Sequence, residues 1–359
     1  MVNRTSKRKV EQKTYQKAEP KATPTLTDFK PKIMPAYGFT DKELPEKMRV
    51  PYIHTRYRRP CLSVEQCIES MFQPHNEMVN IWSHFIAAFV FLIHNSDLLR
   101  EYRNFDDPLV APLACCAVGI VVLFFVSACT HLFNSMSLLA YHVCYFCDYA
   151  AISICTFTTA QAMFFYSRPI STSWRMFNSP IAFLALAVMN SLLSTFTCCA
   201  VLVRRPWYHA FVRTSAYLSL GLFTVLPYLG RLAFCSYTAS VECTTPSYIH
   251  FKRYCLYFTI AGVTYANRIP ERLFPKMFDL LGQSHHILHV LSAMALSEMF
   301  TAVHIDMMDR KESLMTKPYS WLELCAVFTL TTVVINIGVV FWFSRSLKRR
   351  LQKLRNVQE

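Results

Sequence analysis

Residues 109–133 read LVAPLACCAVGIVVLFFVSACTHLF. As a helix this run exceeds the roughly 20 residues that cross a hydrocarbon core of about 30 Å. Yet it closes on Ser127 and His131, four residues apart, a spacing that puts both on one helix face. An ionisable side chain inside a spanning helix is costly and points to function. The stretch therefore predicts both a fold and a site.

The same pattern recurs along the chain. Eight apolar runs cover about 78–98, 109–133, 143–166, 180–203, 212–234, 249–267, 285–305 and 321–344. The sixth carries Lys252 and Arg253 in its first turn, where long side chains can reach the interface. The eighth is apolar from Leu322 to Phe343, with Trp321 and Trp342 as interfacial anchors. Alternating strands of about 10 residues, the mark of a membrane barrel, do not appear. The expected fold is an all-α membrane protein, a multi-pass helical bundle. Its predicted parts are a basic, largely disordered tail with a juxtamembrane segment (1–70), a bundle of eight spans (71–344) and a basic tail (345–359).

Composition agrees. Of 359 residues, 53% are hydrophobic and only 17% charged, a balance soluble domains rarely show. The net charge of +14 is concentrated in the two tails. That pattern signals orientation and contact with anionic lipid, and no nucleic-acid motif accompanies it. Most of the 14 cysteines lie in apolar runs, where they behave as small hydrophobes. Cys235 and Cys243 fall near an outer loop and could pair. Residues 1–45 are rich in Lys, Pro and Thr, the composition of a disordered segment, and contain the sequon Asn3-Arg4-Thr5. The first 70 residues hold no apolar stretch, so no cleaved signal peptide is expected.

Basic residues set the expected topology. The N-terminal tail carries about 15 Lys and Arg and the C-terminal tail six. An even number of spans puts both on one side, which the positive-inside rule makes cytosolic. His131 then ends the second span, Asp148 lies in the first turns of the third, and His285 and His289 open the seventh. Independent spans had no need to place these residues at one depth.

His285 and His289 have metal-ligand spacing, and imidazole suits zinc. Three histidines leave a fourth tetrahedral position open, as catalytic zinc sites do. In that arrangement Asp148 and Ser127 are candidates for the catalytic groups, and a lipid amide or ester is the expected substrate of an enzyme at this depth. Each element also has a plainer reading: interfacial histidines, a packing hydroxyl, a structural carboxylate pair with a neighbour such as His142. Glu77, Asn80 and His84 share one face of the first span. They fit either a helix cap or a layer that orients metal ligands. His94, His209, His286 and His304 are taken as ordinary interfacial histidines.

These motifs resemble those of the progestin and adipoQ receptor family. Its members carry Glu-x2-Asn-x3-His, here Glu77, Asn80 and His84. They carry Ser-x3-His with an Asp 17 residues on, here Ser127, His131 and Asp148, and Ser-His-x3-His, here Ser284, His285 and His289. The stretches 131–137 and 268–275 resemble the membrane progestin receptor branch, in particular its gamma-type members, and so does the eighth span beyond a seven-helix family core. The resemblance implies zinc on His131, His285 and His289, and ceramide-hydrolysing activity as in the adiponectin-receptor branch. It also implies a steroid or other lipid ligand of progesterone type, intracellular signalling partners, and residence in the plasma membrane with rapid, non-genomic signalling. A purely structural zinc remains a third reading. A transporter is disfavoured by the lack of paired helix breaks, and a G-protein-coupled receptor by tail orientation and the absence of Asp-Arg-Tyr.

Overall fold

The computed structural model describes residues 37–101, 109–204, 208–240, 243, 246–315 and 321–358. In chain order the elements are β1 (Tyr37–Phe39), β2 (Tyr57–Arg58), α1 (Val64–Ser70), α2 (Met78–His94), α3 (Ser96–Glu101), α4 (Ala111–Phe133), α5 (Leu138–Ser167), α6 (Arg175–Asn178), α7 (Pro180–Arg204), α8 (His209–Cys235), α9 (Tyr248–Asn267), α10 (Ser284–Asp309), α11 (Lys311–Met315) and α12 (Trp321–Gln358). Seven of the eight apolar runs each form one helix, the first (78–98) is divided between α2 and α3 at Asn95, and the fold is an all-α, multi-pass membrane bundle. By length and composition, α4, α5, α7, α8, α10 and α12 can each cross a bilayer. α2 is a shorter apolar helix of 17 residues. The fold satisfies backbone groups within helices, as a hydrocarbon medium demands.

α5 is the central helix, buried without interruption from Phe157 through Ser167. Two of its polar side chains turn back on their own helix: Thr158 and Thr159 both donate to the Cys155 carbonyl. Gly119 of α4 lies directly against the Thr158 side chain, leaving no room for a Cβ. Small residues at such contacts let membrane helices approach closely. Around this axis Phe124, Phe164, Phe183, Tyr228 and Phe300 build one continuous core.

Several boundaries differ from expectation. α5 begins at Leu138 rather than 143, because Ser137 Oγ accepts the Ala140 N–H at 2.9 Å and caps an earlier start. Asp148 therefore sits deeper than the first turns. α12 continues to Gln358 through the basic segment read as a tail. Leu347 and Leu351 repeat the apolar stripe there and pack with Phe146, Cys199 and Phe343.

The N-terminal segment also departs from expectation where it is described. Residues 1–36, with the sequon, lie outside the described residues. From Tyr37 onward the chain folds: β1 pairs antiparallel with β2, and Phe39, Leu44, Met48, Ile53 and Tyr57 pack against Leu138 and Tyr141 of α5. Averaged composition hid these dispersed apolar residues. Arg58, buried, pins the segment to the end of α4 through the carbonyls of Leu132 (2.7 Å) and His131 (2.5 Å) and the Asn134 side chain (2.8 Å). Cys235 and Cys243 form a disulfide at the end of α8. In α9, His250 and Arg253 turn toward Glu298 of α10, at 2.6 and 3.6 Å, so Arg253 is paired rather than merely extended toward the interface.

Candidate functional site

The up-and-down order of the helices places the end of α4, the early part of α5 and the starts of α2 and α10 at one end of the bundle. Among the described residues, His131, His285 and His289 form a group whose ring nitrogens all lie within 4.8 Å of one another. His131 Nε2 and His285 Nε2 are 3.2 Å apart. Tetrahedral zinc with bonds of about 2.0–2.1 Å would space its ligands by roughly 3.3 Å.

The partners of these rings determine which nitrogens face inward. Glu77 Oε2 lies 2.6 Å from His131 Nδ1. A carboxylate only accepts, so the proton sits on Nδ1 and the Nε2 lone pair points into the cluster. Ser83 Oγ lies 3.1 Å from His289 Nδ1 and also donates to the Asn80 carbonyl at 3.1 Å. Having spent its one proton there, the hydroxyl accepts from His289 Nδ1–H, which frees His289 Nε2. Such outer partners fix the tautomer of metal-binding histidines. Two converging lone pairs, with His285 Nε2 beside them, are a donor set that fits a soft-to-borderline cation such as zinc.

The remaining predicted residues also gather here. Asn80 Nδ2 donates to Glu77 Oε2 at 2.7 Å, holding the carboxylate that holds His131. His84 stacks on His289 with ring centres 3.8 Å apart. Asp148 is buried, with the Ser127 side chain beside it, and its Oδ1 has no hydrogen-bond partner. A buried carboxylate oxygen without a donor is expensive.

Sequence reasoning missed Ser83, whose signal was its i, i+3 relation to Asn80 and its place one residue before His84. It missed Tyr145 and Tyr265, whose rings lie 6.0 Å from His131 and 5.3 Å from His285; no local pattern marked either. His286, taken as interfacial, is buried beside the cluster, with Nδ1 accepting from the Gly282 N–H and Nε2 near the Asn76 carbonyl. Beneath Glu77 lies His75, whose Nε2 donates to the Ser70 carbonyl at 2.9 Å while Nδ1 accepts the Glu77 N–H at 3.1 Å. Burial, with the nearby Arg58 charge, pushes His75 down to about 3. The fold thus requires one neutral tautomer of this ring.

Comparison with known proteins follows the same residues. The Haemolysin-III related family model matches residues 72–300, from just before Glu77 to beyond His289. The chain is 29% identical over 336 residues to Membrane progestin receptor gamma-A of Danio rerio, covering 86% of this chain and 94% of that protein. It is 29% identical over 323 residues to Membrane progestin receptor gamma of Homo sapiens, with 87% and 94% covered. With Membrane progestin receptor delta of Mus musculus the identity is 33% over 303 residues, covering 83% and 87%.

Proposed function

The chain belongs to the Haemolysin-III related family, the progestin and adipoQ receptor family that its motifs resemble, and on that premise we propose that it is a membrane receptor for a steroid or related lipid, with zinc held by His131, His285 and His289. One observation carries the zinc reading: three imidazoles from two helices converge within 4.8 Å, and two have their other nitrogen tied off by Glu77 and Ser83. The relatives are named for progestin, and that is the ground for the steroid.

When bound, zinc would supply Lewis acidity and a nucleophile near neutral pH. The residues around it have definable tasks. Glu77 holds the proton at His131 Nδ1, and Asn80 fixes Glu77. Asp148 Oδ1 is the proton acceptor the site offers, with Ser127 steadying the carboxylate. That uncommitted oxygen favours a second reading, a zinc-dependent lipid amide hydrolase of ceramidase type. The two are compatible, since a hydrolysis product can be the signal.

The histidine end faces the cytosol and the protein resides in the plasma membrane. Two features support this orientation: the basic residues of both tails, and the Cys235–Cys243 disulfide at the opposite end, since disulfides persist on the oxidising side of a membrane. The intracellular signalling proteins of the family are then accessible to both tails.

The test combines three readouts on purified full-length protein. Zinc content should be one per chain and fall to background in His131→Ala. Radiolabelled progesterone should bind saturably. Fatty acid should be released from ceramide by wild type and not by His131→Ala. Folded protein without zinc would sink the metal reading, and absent steroid binding would sink the receptor reading. Zinc and steroid binding without turnover would retire the hydrolase.

A further inference from the structure

The short helix α1 has three sides of different character. Ser63 starts it: its Oγ accepts the Gln66 N–H at 3.2 Å, and the Gln66 side chain accepts the Ser63 N–H at 3.0 Å, a reciprocal cap. Seven helical residues are marginal alone, so packing must hold them. One side supplies it. Cys67 and Ser70 are buried, and Cys67 joins Leu62, Ile81 and Leu132 in a small core between α2 and the end of α4. The second side carries the exposed acids Glu65 and Glu69. The third carries Val64 and Ile68, four residues apart, with Phe72 one turn further on. All three are exposed, Phe72 by 76%.

This apolar stripe continues a larger surface. The Phe72 ring lies 5.6 Å from that of Trp82 on α2, whose Nε1 donates to the Met71 carbonyl at 2.8 Å. One turn along α2, Phe85 meets Phe125 of α4 edge-on at 5.9 Å. Ile86, Phe89 and Phe125 are exposed on these two helices, and in a membrane bundle such faces look to lipid. Trp82 marks a depth, since indole rings collect where hydrocarbon meets headgroups. A helix with one side on the bundle, one charged and one apolar, placed at that depth, has the form of an interfacial helix.

α1 is also tied to the histidine cluster. Its last residue, Ser70, heads two routes to His131. Ser70 Oγ accepts from Arg58 Nη1 at 3.1 Å, and Arg58 Nη2 donates to the His131 carbonyl at 2.5 Å. The Ser70 carbonyl accepts from His75 Nε2 at 2.9 Å, His75 Nδ1 accepts the Glu77 N–H at 3.1 Å, and Glu77 Oε2 holds His131 Nδ1 at 2.6 Å. The first route fixes the backbone of His131, and the second fixes its ring.

We propose that α1 docks on the lipid headgroup layer through Val64, Ile68 and Phe72, and that this docking holds His131 in place for a metal. The docking stands on the continuity of the apolar surface. Its effect on His131 rests on the zinc reading above.

The experiment uses full-length protein in phosphatidylcholine nanodiscs, with photoreactive benzoylphenylalanine in place of Ile68, Phe72 or Glu69, one at a time. Mass spectrometry should find phosphatidylcholine adducts at positions 68 and 72 and none at 69. Adducts to a second copy, to the chain's own residues 1–36, or to nothing at 68 and 72 would overturn the docking. Equal lipid yield at all three positions would overturn the assigned face. The double variant Ile68→Glu/Phe72→Glu should then lower zinc affinity about ten-fold, the lower end of what losing support around a metal ligand does, measured by chelator competition. Glu65→Gln/Glu69→Gln, on the water side, should leave it unchanged. Unchanged affinity in the folded double variant would overturn the link to His131, and Ile68→Ser/Phe72→Ser decides the matter if the glutamates prevent folding. Lipid adducts on wild type that holds no zinc would sink only the metal reading. Zinc without adducts would sink only this one.

Discussion

Two buried polar clusters sit at opposite ends of α10, about 25 Å apart along the helix axis. Near its start, His285 and His289 meet His131 and Glu77. Near its end, Asp306 accepts from Arg231 Nη2 (3.0 and 2.9 Å), Ser247 Oγ (2.6 Å) and Ser167 Oγ (2.6 Å). Arg231 also lies over the Tyr228 ring at 4.5 Å. Both clusters put ionisable groups inside the bundle. They differ in what their bonds leave over. At Asp306 both carboxylate oxygens are filled by side chains of the protein, so the carboxylate ties α5, α8 and α10 together, although Arg231 Nε and Nη1 are left without a hydrogen-bond partner. At the histidines, the outer bonds are arranged so that ring nitrogens remain directed at one point. A buried carboxylate whose oxygens are both filled inside the protein, as at Asp306, reads as a structural tie between helices.

That contrast can be broken by mutation. Asp306→Ala would strand the buried Arg231, a loss of about 3–5 kcal/mol for a disrupted buried pair. Thermal unfolding in detergent should show a large drop in Tm, while the folded fraction keeps its zinc. If zinc were lost in step with Tm, the two ends would not be independent.

Glu77→Gln should have a smaller and opposite signature. Removing the carboxylate that orients His131 should weaken zinc affinity about 10- to 100-fold, measured by competition with a chelator. Tm without metal should change much less than in Asp306→Ala. An unchanged affinity would show that Glu77 is a helix cap and nothing more.

Acid gives the mildest probe. The fold holds His75 down at about 3 from an ordinary 6.5, so the unfolded chain binds a proton more readily. Its contribution is full above pH 6.5 and falls as pH drops, by about 1.4 kcal/mol per unit, until about pH 3. Denaturant midpoints from pH 7 to 5 should follow this slope, and His75→Gln should flatten it. Local hydrogen exchange should report the opening first around residues 75–77. Uniform loss of protection along α10 would instead assign the acid response to another group.

Much of this was legible in the chain itself. The apolar runs all became helical, six of them long and apolar enough to cross a membrane, because a stretch of that length and apolarity has one backbone solution in lipid. The i, i+4 pairs and the alternation of spans were enough to bring His131, His285, His289 and Asp148 to one end. Boundaries were less legible. Ser137 started α5 early through a single cap, and Leu347 and Leu351 carried α12 through a basic segment whose charge had suggested a tail. The charged pair Arg231 and Asp306 was overlooked, although Arg231 lies in an apolar run and Asp306 directly follows one, because nothing in the local sequence joins residues 75 positions apart.

Sequence alone determined the class of fold, the gathering of the histidines at one end and the family, since these depend on length, period and motif spacing. Only the tertiary structure decided which polar groups are satisfied. Ser83 orienting His289, Tyr265 beside His285, Asp148 Oδ1 left open and Asp306 closed are all consequences of distances between helices. Hydrogen bonds and charges are felt over a few ångströms in space, and sequence separation carries no record of that distance.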